Sequence, residues 1–171
     1  MPLKSGGAPA TLQHDGIASR IPHQGSMCLL GSVTAWDLNR ISCEAGSHRA
    51  ESNPLRAHGR LGAACGIEYA AQAMAVHGAL VAEAQASASD AGPAPKIGYL
   101  ASTRGLTLYV ERLDDLNGVL TIDAERLSGD DNTILYSFSL RAGPALLLSG
   151  RAVVVLDAAG LSPGATMSRS S

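Results

Sequence analysis

Gly66-Ile67-Glu68-Tyr69-Ala70-Ala71-Gln72-Ala73-Met74-Ala75-Val76-His77-Gly78-Ala79-Leu80 is the stretch on which the fold turns. It sits inside residues 62–86, a run without proline and rich in Ala, Glu, Gln, Met and Leu, all strong helix formers. Ala63, Ala64, Ile67, Ala70, Ala71, Met74, Ala75, Ala79 and Leu80 make this predicted helix apolar almost all round. A helix lying on a surface carries a single apolar stripe, so this one must be enclosed by other structure.

The flanking sequence supplies the enclosure. Upstream, a short helix is predicted within residues 11–19, then strands over 29–36 and 40–45 joined at Asp37-Leu38-Asn39. Downstream, the apolar period changes from helical to two. Leu106, Leu108 and Val110 alternate with Thr107, Tyr109 and Glu111, and Asn117-Gly118 predicts a hairpin turn into residues 119–127. After a turn at 128–132, Ile134, Tyr136, Phe138 and Leu140 share one face of residues 133–141. Gly143-Pro144 then turns the chain into residues 145–156, whose Leu and Val runs predict a strand buried on both sides. Hairpin, long helix and four-strand meander make an α+β domain, one antiparallel sheet wrapped around one helix.

Composition narrows the function. The 171 residues suit one domain, and 46% hydrophobic content can fill its core. Only 4% is aromatic, so that core must be aliphatic. Thirteen basic against fifteen acidic residues give a net charge of -2, leaving no excess to neutralise phosphates; nucleic acid is excluded as the main partner. Apolar stretches are broken before membrane-spanning length, and residues 1–9 lack a signal-peptide pattern. Cys28, Cys43 and Cys65 are an odd number without metal-type spacing, which argues against disulfides and structural zinc. A cytoplasmic protein is expected. Its domain is expected over residues 11–157, between disordered ends at 1–10 and 158–171, with a flexible loop at 87–95.

Glu68 is the first candidate for chemistry. On an Ala-lined helix its carboxylate faces a wet cavity, is paired for a purpose, or sits on an exposed rim. Gln72, four residues on, shares its face and is a candidate to hold the carboxylate or a polar group of a substrate. Of five histidines, His77 is nine residues from Glu68 and points to the opposite face, as a packed or interfacial residue. His14 has no apolar setting, and His48 and His58 read as exposed loop residues. His23 has the best context, fixed between Pro22 and a Gly-Ser turn before an apolar strand. It is the predicted base, with His58 as the alternative. Cys65 reads as packing rather than a nucleophile, and Arg56, Arg60 and Arg104 are candidate contacts for a phosphate or an acidic partner.

Four motifs in order carry a resemblance: Pro22-His23, Asn53-Pro54-Leu55-Arg56, the helix from Gly66 to Ala73, and His77-Gly78. Over residues 20–157 the chain resembles hot-dog-fold 3-hydroxyacyl-acyl-carrier-protein dehydratases, and within them the branch associated with aryl polyene biosynthesis. It departs from fatty-acid dehydratases at Pro54, which falls where their histidine stands. Gly31 likewise stands where relatives have Asp.

The resemblance implies a hot-dog fold and dehydration of a 3-hydroxyacyl thioester to the 2-enoyl thioester. His23 would act as base and Glu68 as acid, with backbone N–H groups around Gly62, Ala63 and Cys65 as substrate-binding donors to the carbonyl. It implies no metal and no cofactor beyond the phosphopantetheine of acyl carrier protein. The expected assembly is a homodimer, or a heterodimer with a related hot-dog subunit, with residues 48–60 near the partner. An acyl thioesterase and a non-catalytic acyl-binding subunit are the alternatives.

Overall fold

The computed structural model describes residues 11–89 and 96–158, so the predicted N-terminal tail, residues 159–171 and residues 90–95 of the predicted loop lie outside the described residues. Along the chain run β1 (Leu12–Gln13), α1 (His14–Ala18), β2 (Ser32–Trp36), β3 (Arg40–Ala45), α2 (Gly66–Ser87), β4 (Lys96–Leu108), β5 (Leu120–Gly129), β6 (Thr133–Ala142) and β7 (Ala145–Ala158). The strands form one antiparallel sheet in the order β1-β2-β3-β5-β6-β7-β4, and it curls around α2. This is the hot-dog architecture, with the two-residue β1 added to the six strands expected.

Local chemistry sets the turns. Asp37 accepts from the amides of Asn39 and Arg40 at 2.8 and 3.0 Å and closes β2 onto β3. Asp130 does the same for Asn132 and Thr133 between β5 and β6, at 2.7 and 2.9 Å. The inner face of the sheet buries Ile122 and Ala124 of β5 and the predicted Ile134, Tyr136, Phe138 and Leu140 of β6. Tyr69, Ala70, Ala73, Val76 and Leu80 of α2 belong to the same buried cluster. Small side chains let helix and sheet approach closely: a Cβ on Gly66 would collide with the Leu148 side chain of β7.

Four expectations need correction. First, β4 begins ten residues before the alternation at Leu106, because bulges between Leu100 and Ser102 and between Arg104 and Thr107 scramble its period. Second, Asn117-Gly118 is no hairpin turn. Gly118 has the expected positive φ of 79°, but β4 pairs with β7 while β5 lies between β3 and β6. Residues 109–119 are a crossover along the start of α2, where Ala63 N donates to Glu111 O at 3.0 Å and Leu113 N to Leu61 O at 2.8 Å. Third, β7 is buried on both sides only at its Leu run, where the consecutive Leu147 and Leu148 are both buried; along the Val run Ala152 and Val154 are buried, whereas Arg151 and Val155 are exposed. Fourth, residues 48–60 are not wholly outside the core, since His48 and Asn53 are buried.

Two of the buried polar residues are histidines. His77 lies between the Tyr136 hydroxyl (2.7 Å from Nδ1) and the Asp37 carbonyl (2.8 Å from Nε2). His48 Nε2 meets the Leu116 carbonyl at 3.1 Å. A carbonyl only accepts, so each Nε2 carries the proton, and the Tyr136 hydroxyl donates to His77. Burial pushes both imidazoles below their usual pKa, opposed by these carbonyls. The unfolded chain therefore takes up protons first as pH falls through about 6.5, and the folded state loses stability there. Urea unfolding should give a lower midpoint at pH 5 than at pH 7.5, and His77→Gln should flatten that dependence. Identical midpoints at the two pH values would contradict it.

Candidate active site

Residues 21–29 form a strap across α2, and Gln72 fastens it. Its Nε2 donates to the Met27 carbonyl at 2.7 Å and its Oε1 accepts from the Leu29 amide at 2.8 Å. Upstream, Gln24 Nε2 donates to the Ala18 carbonyl at 3.0 Å, and Gly25 adopts φ 58° to start the turn Gly25–Met27. Ile21 and Leu29 are buried at either side. His23 is thus held on a strap pinned at both ends.

The strap delivers His23 to the helix. His23 Nε2 lies 2.9 Å from Glu68 Oε1, with the two side chains 28% and 33% exposed. Glu68 is therefore paired and still open to water and substrate. Gln72 Nε2 also reaches Glu68 Oε1 at 3.4 Å. With its oxygen and nitrogen committed to the strap and to Glu68, Gln72 is a positioning residue rather than the substrate contact that its place on the helix face allowed.

The other histidines do not enter this pair. His58 is exposed in a tight turn from Ala57 to Arg60, with φ 53° followed by Gly59 at 73°. His14 Nε2 lies 3.3 Å from the Cys28 carbonyl. His77 takes the opposite side of α2, as helix arithmetic requires, and His48 is buried rather than exposed.

The predicted donors at the start of α2 divide. Ala63 N is committed to Glu111 O, and Cys65 N to Gly62 O at 3.0 Å. Gly62 pairs with Arg112 as an isolated bridge whose hydrogen bonds are made by the flanking residues, so its own amide points away from the crossover. Of the three, only Gly62 offers an amide that neither contact uses. Cys65 directs its sulfur to the Leu55 carbonyl at 3.8 Å, and burial raises its thiol pKa, which suits packing.

A second network carries the Asn53–Arg56 motif. The Ser47 hydroxyl donates to the Leu29 carbonyl at 2.7 Å and lies 2.8 Å from the Tyr69 hydroxyl, while Asn53 Nδ2 donates to the Ser47 carbonyl at 2.9 Å and to Tyr69 at 3.1 Å. Arg56 donates to the carbonyls of Ala50, Gly59 and Arg49 at 2.9, 3.3 and 3.3 Å. That guanidinium clamps the loop instead of facing a partner. Asp114 accepts from Leu61 N and from Arg112, and these bonds hold its carboxyl below the usual range. The signal for Tyr69 was available: a phenol on an otherwise apolar helix face needs a partner for its hydroxyl. Among the described residues no cluster of three His, Cys, Asp or Glu could hold a metal ion.

The model of the ApeP-like family, described as ApeP dehydratase, matches residues 16–160. The chain belongs to the ApeP-like dehydratase family. Among solved structures, the dehydratase heterocomplex ApeI:P from Xenorhabdus doucetiae is similar at a TM-score of 0.68 and 21% identity, covering 84% of this chain and 91% of that one. A thioesterase from Haemophilus influenzae matches at a TM-score of 0.58 and 12% identity, covering 88% and 94%. A hypothetical thioesterase with coenzyme A from Streptococcus pneumoniae matches at 0.52 and 10%, covering 74% and 84%. At such identities these likenesses establish the hot-dog fold alone. No curated protein matches the sequence. For this ApeP-like dehydratase, Pro22-His23 and the helix motif now have a geometric meaning, since they are the two halves of the His23–Glu68 pair.

Proposed function

We propose that this dehydratase acts on a 3-hydroxyacyl thioester carried on the phosphopantetheine of acyl carrier protein, with His23 and Glu68 as its base and acid. The observation that carries the reading is the 2.9 Å contact between His23 Nε2 and Glu68 Oε1. A thioester carbonyl acidifies the neighbouring C–H, so elimination of the 3-hydroxyl needs one base, one acid and a donor to the carbonyl. His23 Nε2 takes the proton from the carbon beside the carbonyl. The electron pair forms the double bond, the C–O bond breaks, and Glu68 protonates the leaving oxygen to release water. The pair is left as imidazolium and carboxylate. Passing one proton across their contact restores the starting state, so the cycle needs no further cofactor. The Gly62 amide, beside the positive end of the α2 dipole, is the donor to the enolate oxygen.

The thioesterase alternative needs no histidine beside the carboxylate, and the pairing favours dehydration over it. Turnover of a 3-hydroxyacyl carrier-protein substrate tests the proposal: the enoyl thioester is the expected product. Release of free acid, or no product with or without a related hot-dog subunit, overturns it.

A partner of hot-dog type in the cytoplasm is part of the same proposal. The heterocomplex formed by the ApeI:P proteins supports it, as does the outer edge of the sheet, where β4 leaves Tyr99 52%, Leu100 39% and Leu108 44% exposed. An unpaired apolar edge strand invites a second strand. Arg60 and Arg104 remain exposed for an acidic carrier protein. Light scattering at micromolar concentration should give the mass of two chains, and Tyr99→Lys should lower it. A monomer with full activity would count against the interface.

A further inference from the structure

Where the loop before α2 runs beside the crossover, Gly62 lies opposite Arg112 in a short antiparallel ladder. Ala63 N donates to Glu111 O on one side of that pair, and Leu113 N to Leu61 O on the other. A regular ladder would close the second rung with Leu61 N on the Leu113 carbonyl. Leu61 N turns instead to a side chain, Asp114 Oδ1, at 2.9 Å. The Leu113 carbonyl accepts from Leu116 N at 3.2 Å. Arg112 fixes the carboxylate in that orientation, with Nε on Oδ1 at 3.0 Å and Nη2 on Oδ2. Arg56, the loop clamp, brings Nη1 to 3.7 Å from Oδ2. The Asp114 side chain is only 6% exposed, and buried His48 pins its turn through the Leu116 carbonyl. Gly62 itself is exposed, and a Cβ built on it meets nothing within 4 Å, so a ligand can approach its backbone.

We propose that Asp114 is a positioning residue for the reaction: by holding Leu61 N it aims the Gly62 amide at the thioester carbonyl. The inference rests on the dehydratase reading above and adds a residue that touches no substrate atom. The Leu61 carbonyl and the Gly62 N–H belong to one planar trans peptide and point opposite ways. The Leu113 N–H on that carbonyl therefore sends the Gly62 N–H outward, away from the crossover. A single bond leaves the peptide plane free to rock. Asp114 holds the preceding plane through Leu61 N, so Leu61 is fixed at both ends. A donor aimed before charge develops on the carbonyl oxygen needs no rearrangement when the enolate forms. Arg112 first, and then the Leu61 N–H, hold the Asp114 carboxyl below the usual range, so it remains an acceptor at neutral pH.

The test compares wild type, Asp114→Ala and Asp114→Asn. The asparagine carbonyl can still accept from Leu61 N, and alanine cannot. With a 3-hydroxyacyl carrier-protein substrate, kcat in Asp114→Ala should fall at least about tenfold, part of what the loss of an oxyanion donor costs. KM should move less than about threefold, and Asp114→Asn should recover kcat to within about threefold of wild type. Infrared spectra of a bound hexanoyl thioester of pantetheine, isotope-labelled at the carbonyl and lacking the 3-hydroxyl, read the donor without turnover. Wild type and Asp114→Asn should lower the carbonyl stretch below its value in water, and Asp114→Ala should lose that shift at saturation. Asp114→Ala with wild-type kcat and an unchanged stretch overturns the inference. So does an Asp114→Ala that loses its fold, since Asp114 is then structural. A loss in Asp114→Asn as deep as in Asp114→Ala overturns it too, by assigning the effect to charge. Wild type that shifts the carbonyl but forms no enoyl product sinks the dehydratase reading and leaves the role of Asp114 standing. Wild type that forms the enoyl product without shifting the carbonyl does the reverse.

Discussion

Glu68→Gln should cut dehydration by about 10²–10⁴-fold, the usual contribution of a positioned acid, while leaving the fold intact. The amide has the size of the carboxyl and can still meet His23 Nε2, but it has no proton to give to the departing hydroxyl. One third of the Glu68 side chain is exposed, so the exchange strands no buried charge. His23→Ala should lose activity on the same scale by removing the proton acceptor. The double variant should be little worse than either single one, because the two groups act as a unit. His77→Ala is the contrast: it removes two buried hydrogen bonds on the opposite side of α2 and should act on stability. Steady-state turnover with thermal unfolding of each variant decides the matter. Near-normal turnover by His23→Ala, or loss of the fold in Glu68→Gln, would contradict the assignment.

Gln72→Met is the second large effect, and it should strike stability and rate together. Gln72 is fully buried, and its amide satisfies the Leu29 N–H and the Met27 carbonyl. A thioether of similar volume fills the space but offers the Leu29 N–H at best a weak acceptor, which should cost about 1–3 kcal/mol by urea unfolding. The strap then loses its central fastening, and His23 wanders from Glu68. The signature is a fall in kcat larger than the change in KM at temperatures where the variant is still folded. Gln72→Glu keeps the acceptor for Leu29 but brings a second carboxylate beside Glu68, so it should not restore the rate. Unaltered stability in Gln72→Met would mean that Gln72 does not fasten the strap.

The sheet was legible where its signals are local. Ile134, Tyr136, Phe138 and Leu140 alternate and are buried, and residues 40–45 are the strand the sequence predicts. Reading failed where partners are distant. Asn117-Gly118 carries the local chemistry of a turn, yet which strand follows it in the sheet depends on β7 pairing with β4 some fifty residues away. The bulges of β4 hid a long strand for a related reason: an extra residue in a ladder flips the alternation that a period-two reading relies on.

For the site, the sequence by itself determined the cast. An acid on an Ala-lined helix, an amide one turn on and a histidine on a constrained loop are statements about residue type and spacing, and helix geometry alone kept His77 away from Glu68. Tertiary structure decided the roles. Forty-five residues separate His23 from Glu68, and no spacing rule spans that gap; the strap closes it only because Gln72 binds its backbone at Met27 and Leu29. The same packing turned Arg56 from one candidate partner contact among three into a loop clamp and buried His48. It also committed the Ala63 amide to the Glu111 carbonyl. Each buried donor or acceptor must find a partner when water leaves, and in the folded chain that partner is whichever group the fold brings near, however distant in sequence.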